Sequence, residues 1–80
     1  MKIKIRFFAS LRDITKQDSI NLEIEPQSIA SLLELLQNKF PEFSNYRNSI
    51  RVAINSEYST ENQQLSDNDE VALIPPTSGG

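Results

Sequence analysis

Apolar and polar residues alternate at the start of the chain, where Ile3, Ile5 and Phe7 are interleaved with Lys2, Lys4 and Arg6. A period of two is the pattern of a strand with one buried face. Phe8 breaks it by following Phe7 directly, so the two rings point to opposite faces of the strand. One ring belongs to the core. The other is either a satellite core contact or part of an exposed apolar patch that receives a partner protein. The segment "ASLRDITKQD" reads as a turn or short helix. It leads to a second alternating run, in which Ile20, Leu22 and Ile24 face opposite to Asn21, Glu23 and Glu25 and which Pro26 closes.

The period then changes. Ile29, Leu32, Leu33, Leu36 and Phe40 recur at i, i+3, i+4, i+7 and i+11, one face of a helix that Ser28 caps with its hydroxyl and Pro41 stops. A polar loop comes next, and then "IRVAINS" predicts a strand with Val52 and Ile54 on one side. The acidic, turn-rich connection "EYSTENQQLSDNDE" has room for one short strand near Tyr58. "EVALI" is the last strand. A helix on one face of a mixed sheet of four to five strands is an α+β arrangement.

Length and charge narrow the function. With 80 residues the chain forms one small domain, so any active site is small or shared. Eleven acidic residues against eight basic ones give a net charge of −3, and no basic cluster accompanies the aromatics, which argues against nucleic acid as a partner. The charge is uneven: Lys2, Lys4, Arg6, Arg12 and Lys16 crowd the beginning, whereas Glu57, Glu61, Asp67, Asp69 and Glu70 crowd the end. The two ends are therefore expected side by side. The chain contains neither cysteine nor histidine, which removes disulfides, the usual zinc ligands and the usual general base. No apolar stretch reaches signal-peptide or membrane-spanning length, so a soluble cytoplasmic protein without a membrane partner is expected.

Several motifs have plain readings. Asp67-Asn68-Asp69 resembles the opening of a calcium loop but lacks the glycine and the distant glutamate, and reads as a tight turn in which Asn68 takes a left-handed conformation. Glu23 and Glu25 have no apolar pocket to separate their acidities and read as solvated charges. Phosphate loops need internal glycines, and the only two glycines of the chain are Gly79 and Gly80.

Those glycines close the segment "IPPTSGG". At an average glycine frequency of about 7%, two in the final positions arise by chance in only about 0.5% of chains. Ser-Gly-Gly alone is linker-like, but Pro75 and Pro76 hold the backbone extended and aim the chain end away from the domain. From Pro75 to Gly80 the chain reaches roughly 20 Å at about 3.3 Å per residue. Glycines add no bulk, so the terminal carboxylate fits a channel too narrow for a Cβ. An ionised carboxylate is a poor electrophile; joined to AMP by a partner enzyme, it is open to sulfide or an amine.

The chain resembles, from end to end, the small subunit of molybdopterin synthase, a family of sulfur carriers in the ubiquitin-like β-grasp superfamily. "IRFFASLRD" is similar to the family's first strand and following turn, "VAIN" to its third strand, and "LSDNDEVALIPPTSGG" to its ending L-x-D-G-D-E-V-A-x-x-P-P-x-x-G-G, which is the specific part. Asn68 departs from the family's common glycine, and "DITKQD" lacks the glycine that relatives often carry there. Neither departure touches the tail. The resemblance implies a β-grasp domain over residues 1–74 and an extended flexible tail over residues 75–80.

It also implies a function. A ubiquitin-activating-enzyme-like adenylyltransferase consumes ATP to adenylate Gly80, a sulfur donor enzyme converts it to a thiocarboxylate, and the tail enters the large subunit of a heterotetramer with two of each chain. Sulfur then passes to a cyclic pyranopterin monophosphate, two transfers making the dithiolene that binds molybdenum. The small subunit binds no cofactor itself, and catalytic side chains, a lysine among them, belong to the large subunit. By position, Gly80 is the activated residue, Gly79 its slim neighbour, and Pro75, Pro76, Thr77 and Ser78 the inserted arm. Phe8 and Ile74 match apolar docking positions, and Arg12 and Asn55 match recurring polar ones. Alternatives that also end in Gly-Gly are a carrier for thiamine synthesis or tRNA thiolation, a protein modifier joined to lysines through Gly80, and an interaction module with an inert tail.

Overall fold

Four of the five strands and the long helix follow the hydrophobic periods. The computed structural model describes residues 1–25, 27–46, 49–60 and 62–75. In chain order it contains β1 (Lys2–Phe7), α1 (Ala9–Thr15), β2 (Ser19–Glu23), α2 (Ile29–Lys39), a 3-10 helix (Pro41–Asn45), β3 (Arg51–Ile54), β4 (Glu57–Ser59) and β5 (Glu70–Ile74). The strands form one mixed sheet in the order β2-β1-β5-β3-β4. β1 and β5 are parallel neighbours, with Lys4 beside Glu70 and Phe7 beside Leu73, and the other pairs are antiparallel. This is the expected β-grasp arrangement. The two ends of the chain are side by side, as their opposite charges predict: Arg6 Nη1 lies 3.4 Å from Glu70 Oε1.

One face of the sheet is buried. Ile3, Ile5 and Phe7 from β1, Val52 and Ile54 from β3 and Val71 and Leu73 from β5 pack against Ile29, Leu32, Leu33 and Leu36 of α2. Each such side chain contributes about 1.5–3 kcal/mol by leaving water. The α2 helix begins where Ser28 Oγ accepts the Ser31 N–H at 3.3 Å, a hydroxyl N-cap as expected. It ends at Phe40, and Pro41 then occupies the first turn of the 3-10 helix.

Two short helices connect the main elements. Of the turn or short helix expected after Phe8, the structure has the helix, closed by Lys16 in the left-handed region (φ 59°) with its N–H on the Arg12 carbonyl at 2.8 Å. The buried Thr15 hydroxyl donates to the Gln17 carbonyl at 3.1 Å, which fixes the exit toward β2. The polar loop expected after α2 instead opens with the 3-10 helix, because Phe43 is needed in the core. Its ring stacks on Phe40 (5.6 Å) and meets Phe7 edge-on (6.0 Å). Pairs in these orientations add about 0.5–1.5 kcal/mol each beyond their burial.

Two tight turns set the ends of β3 and β5. Asn55 and Ser56, both at positive φ (51° and 75°), make the two-residue connection of the β3–β4 hairpin, the conformation that matches strand twist. Asp67-Asn68-Asp69 is a turn with Asn68 at φ 68°, as read from the sequence. Its carboxylates accept backbone N–H groups: Asp67 Oδ1 from Lys2 at 2.6 Å and Asp69 Oδ2 from Ser66 at 2.7 Å. No helix among the described residues is long and apolar enough to cross a membrane.

Candidate functional site

The last strand is a central one. Because β5 lies between β1 and β3, hydrogen bonds on both sides hold it until Ile74, so the chain leaves the sheet from a fixed point. Pro75, assigned from the sequence to the arm, is buried, so the body extends through it. Pro76, Thr77, Ser78, Gly79 and Gly80 lie outside the described residues.

At that exit the outward face of the sheet is apolar. Phe7 pairs with Leu73, so the next residues, Phe8 and Ile74, fall together on the opposite face, where both are half-buried. The question raised by Phe7-Phe8 is thereby answered: Phe7 enters the core and Phe8 faces outward. Ala72 and Ala53 are register partners on this outward face, and Tyr58 of β4 stands opposite Ala53. Tyr58 is 71% exposed, among the described residues the one large apolar side chain left so open.

Charged groups border the strip. Arg6 lies over the Phe8 ring with Cζ 5.3 Å from its centre, and Arg51 lies over the Tyr58 ring at 6.0 Å. Arg51 is the register partner of Ile74, which puts it next to the chain exit. A shallow depression of about 220 Å³ between Ile50, Arg51, Val52, Tyr58 and Ser59 opens beside it.

The two polar positions carried over by resemblance fall elsewhere. Arg12 is on α1, which packs against the ends of β1 and β5, and its Nη1 lies 3.5 Å from Asp18 Oδ1 in an exposed ion pair. Asn55 sits at the opposite end of β3 from Arg51. Its side chain is occupied there: Nδ2 donates to Asp69 Oδ1 at 2.9 Å, and Oδ1 accepts the Glu70 N–H at 3.0 Å. The structure therefore groups Phe8 and Ile74, puts Arg12 on the neighbouring helix paired with Asp18, and puts Asn55 at the far end of β3. Sequence reading missed Tyr58, Arg6 and Arg51 as members of this surface. An aromatic residue in a three-residue strand was the available signal, but strand order is needed to see that Tyr58 and Phe8 share a face.

Comparison with known proteins agrees with this arrangement. The ThiS family model matches residues 5–80. The molybdopterin synthase sulfur carrier subunit of Arabidopsis thaliana is 35% identical, the match covering 100% of this chain and 84% of that protein. Among solved structures, the complex of subunits 1 and 2 of the molybdopterin-converting factor from Helicobacter pylori contains a chain with 26% identity and a TM-score of 0.71, each covered completely. The small archaeal modifier protein 1 of Methanosarcina acetivorans is 26% identical with a TM-score of 0.80, over 99% of this chain and 96% of that one. The chain belongs to the ThiS family and, within it, to the molybdopterin synthase sulfur carrier subunits.

Proposed function

We propose that this chain carries sulfur on Gly80 as the small subunit of molybdopterin synthase. The observation that carries the reading is the position of β5: a central strand delivers the Gly-Gly ending from beside an apolar outward face. The Gly80 carboxylate attacks the α-phosphorus of ATP on an adenylyltransferase and releases pyrophosphate. Sulfide from a donor enzyme then displaces AMP and leaves a thiocarboxylate. Inside the large subunit that sulfur attacks a carbon of a cyclic pyranopterin monophosphate and displaces an oxygen substituent from it; water then attacks the acyl carbon, the acyl C–S bond breaks, and Gly80 returns as carboxylate while the sulfur stays on the pyranopterin.

The division of labour follows the family resemblance, and the composition is compatible with it. A chain without histidine or cysteine supplies the sulfur atom and its delivery, and the large subunit supplies the catalytic side chains. The outward face, with Phe8, Ile74 and Tyr58, seats the carrier on the large subunit, two of each chain forming the assembly in the cytoplasm. Intact-protein mass spectrometry of the chain isolated from cells tests the chemistry: one oxygen replaced by sulfur at the C-terminus is expected, and loss of the chain should abolish molybdoenzyme activity. Intact molybdoenzymes in the absence of any paralogue would refute the reading. The likeness to a small archaeal modifier favours a second one, joining of Gly80 to lysines, whose signature is higher-mass adducts that resist thiols and denaturant.

A further inference from the structure

The outward face of the sheet opposes the chain in sign. Its strand positions hold Lys2, Lys4, Arg6 and Arg51 against Glu23 and Glu70, a net +2 from four bases and two acids, whereas the whole chain carries −3. The two arginines differ from the lysines in lying over the rings of Phe8 and Tyr58, the aromatic members of the apolar strip. A guanidinium that uses its flat face on a ring keeps its in-plane N–H donors for a second partner. For Arg6 that second partner is Glu70 at 3.4 Å, in a pair about half exposed on both sides and therefore weak. For Arg51 no ion pair exists among the described residues.

Any protein that covers Phe8 and Tyr58 also covers the arginines stacked on them. Removing two guanidinium groups from water without giving them acceptors is strongly unfavourable. A wholly apolar partner surface is therefore a poor fit. We infer that the large-subunit surface received by this face presents carboxylates to Arg6 and to Arg51, on either side of an apolar contact, and that these pairs decide which large subunit the carrier accepts. The inference rests on the reading of the chain as a synthase small subunit. The strands bearing the two arginines flank β5 and are about 10 Å apart, so the carboxylates come from two separate positions on the partner. Before contact such charges raise the rate of encounter and reject like-charged surfaces, and once covered and paired they slow dissociation.

The test is the association kinetics of the full-length carrier with the large subunit of the same organism, at roughly 20 mM and roughly 300 mM salt, which spans strong and weak screening. For the unaltered carrier the association rate should fall about tenfold between the two. The double variant R6L/R51L should associate about tenfold more slowly at low salt, lose most of the salt dependence, and dissociate at least about tenfold faster, because the partner carboxylates are then covered without a counter-charge. R6K/R51K, which keeps the charge, should retain most of the salt dependence. Melting temperatures of all forms should agree, because both side chains are exposed. Unaltered kinetics for R6L/R51L beside a binding-competent parent would overturn the inference alone. A parent that does not bind the large subunit overturns the small-subunit reading as well. Random-sequence RNA that binds the parent as tightly as the large subunit does, and is lost in R6L/R51L, would also overturn it.

Discussion

Asn55 and Asp69 are joined by a 2.9 Å hydrogen bond that ties the β3–β4 turn to the turn preceding β5. The same side chain accepts the Glu70 N–H at 3.0 Å, and the Asn55 N–H donates to the Glu70 carbonyl at 2.8 Å. Asn55 thus holds the first residue of the strand whose other end carries the tail.

Asn55→Ala should therefore destabilise the fold. It removes two side-chain hydrogen bonds worth about 1 kcal/mol each and puts a Cβ-bearing residue without local hydrogen bonds at φ 51°. A loss of about 2–3 kcal/mol is expected in thermal or denaturant unfolding. Asn55→Gly removes the same bonds without the backbone penalty and should lose about 1 kcal/mol less. Both variants, while folded, should bind the large subunit as the parent does. Weakened binding at unchanged stability would instead make Asn55 a contact residue.

Ser56 offers the opposite experiment. It occupies the second position of the same hairpin turn at φ 75°, a conformation that costs a residue with a Cβ roughly 1–2 kcal/mol. Glycine removes that cost but adds entropy to the unfolded chain, about 0.5–1 kcal/mol. Ser56→Gly should then stabilise the domain by about 0.5–1 kcal/mol and raise the melting temperature by a few degrees. An unchanged or lower melting temperature contradicts the turn geometry.

Phe43 tests the packing that the hydrophobic periods did not show. If the segment after α2 were a polar loop, Phe43→Ala would be nearly neutral. With the ring buried against Phe7 and Phe40, the substitution should cost about 3–5 kcal/mol, whereas exposed Ser44→Ala should change stability by less than about 0.5 kcal/mol. Chemical denaturation of the two variants measures the difference.

These residues also mark how far the sequence can be read. β1, β2, β3, β5 and α2 announce themselves because their apolar residues recur at the period of the element that buries them. The 3-10 helix does not, since one buried aromatic in a five-residue segment has no period. The parallel pairing of β1 with β5 was foreshadowed only by opposite charges, and the Arg6–Glu70 pair is its trace. The outward surface was half legible: Phe8 broke an alternation, whereas Tyr58 and Arg51 join it only through the strand order. Asn55 was singled out only by resemblance, and its bond to Asp69 has no local signal, because that partner is 14 residues away across a register that the chain does not spell out.

The tail gives the last prediction. β5 ends at a fixed point in the sheet, and Pro75 is buried, so the distance from the body to the terminal carboxylate is set by the residues from Pro76 to Gly80. One residue appended after Gly80 moves the carboxylate about 3.3 Å beyond its place and adds a side chain at the narrowest part of the path. Adenylation and sulfur transfer should both be lost while the melting temperature stays unchanged, because the buried core is built from residues between Ile3 and Leu73. Gly79→Val should leave stability equally intact and slow transfer by hindering entry. The paired measurement is thermal unfolding beside thiocarboxylate formation followed by mass. Sulfur transfer retained by the extended chain would show that Gly80 is not the carrier residue; a large drop in melting temperature for Gly79→Val would instead place the tail in the fold.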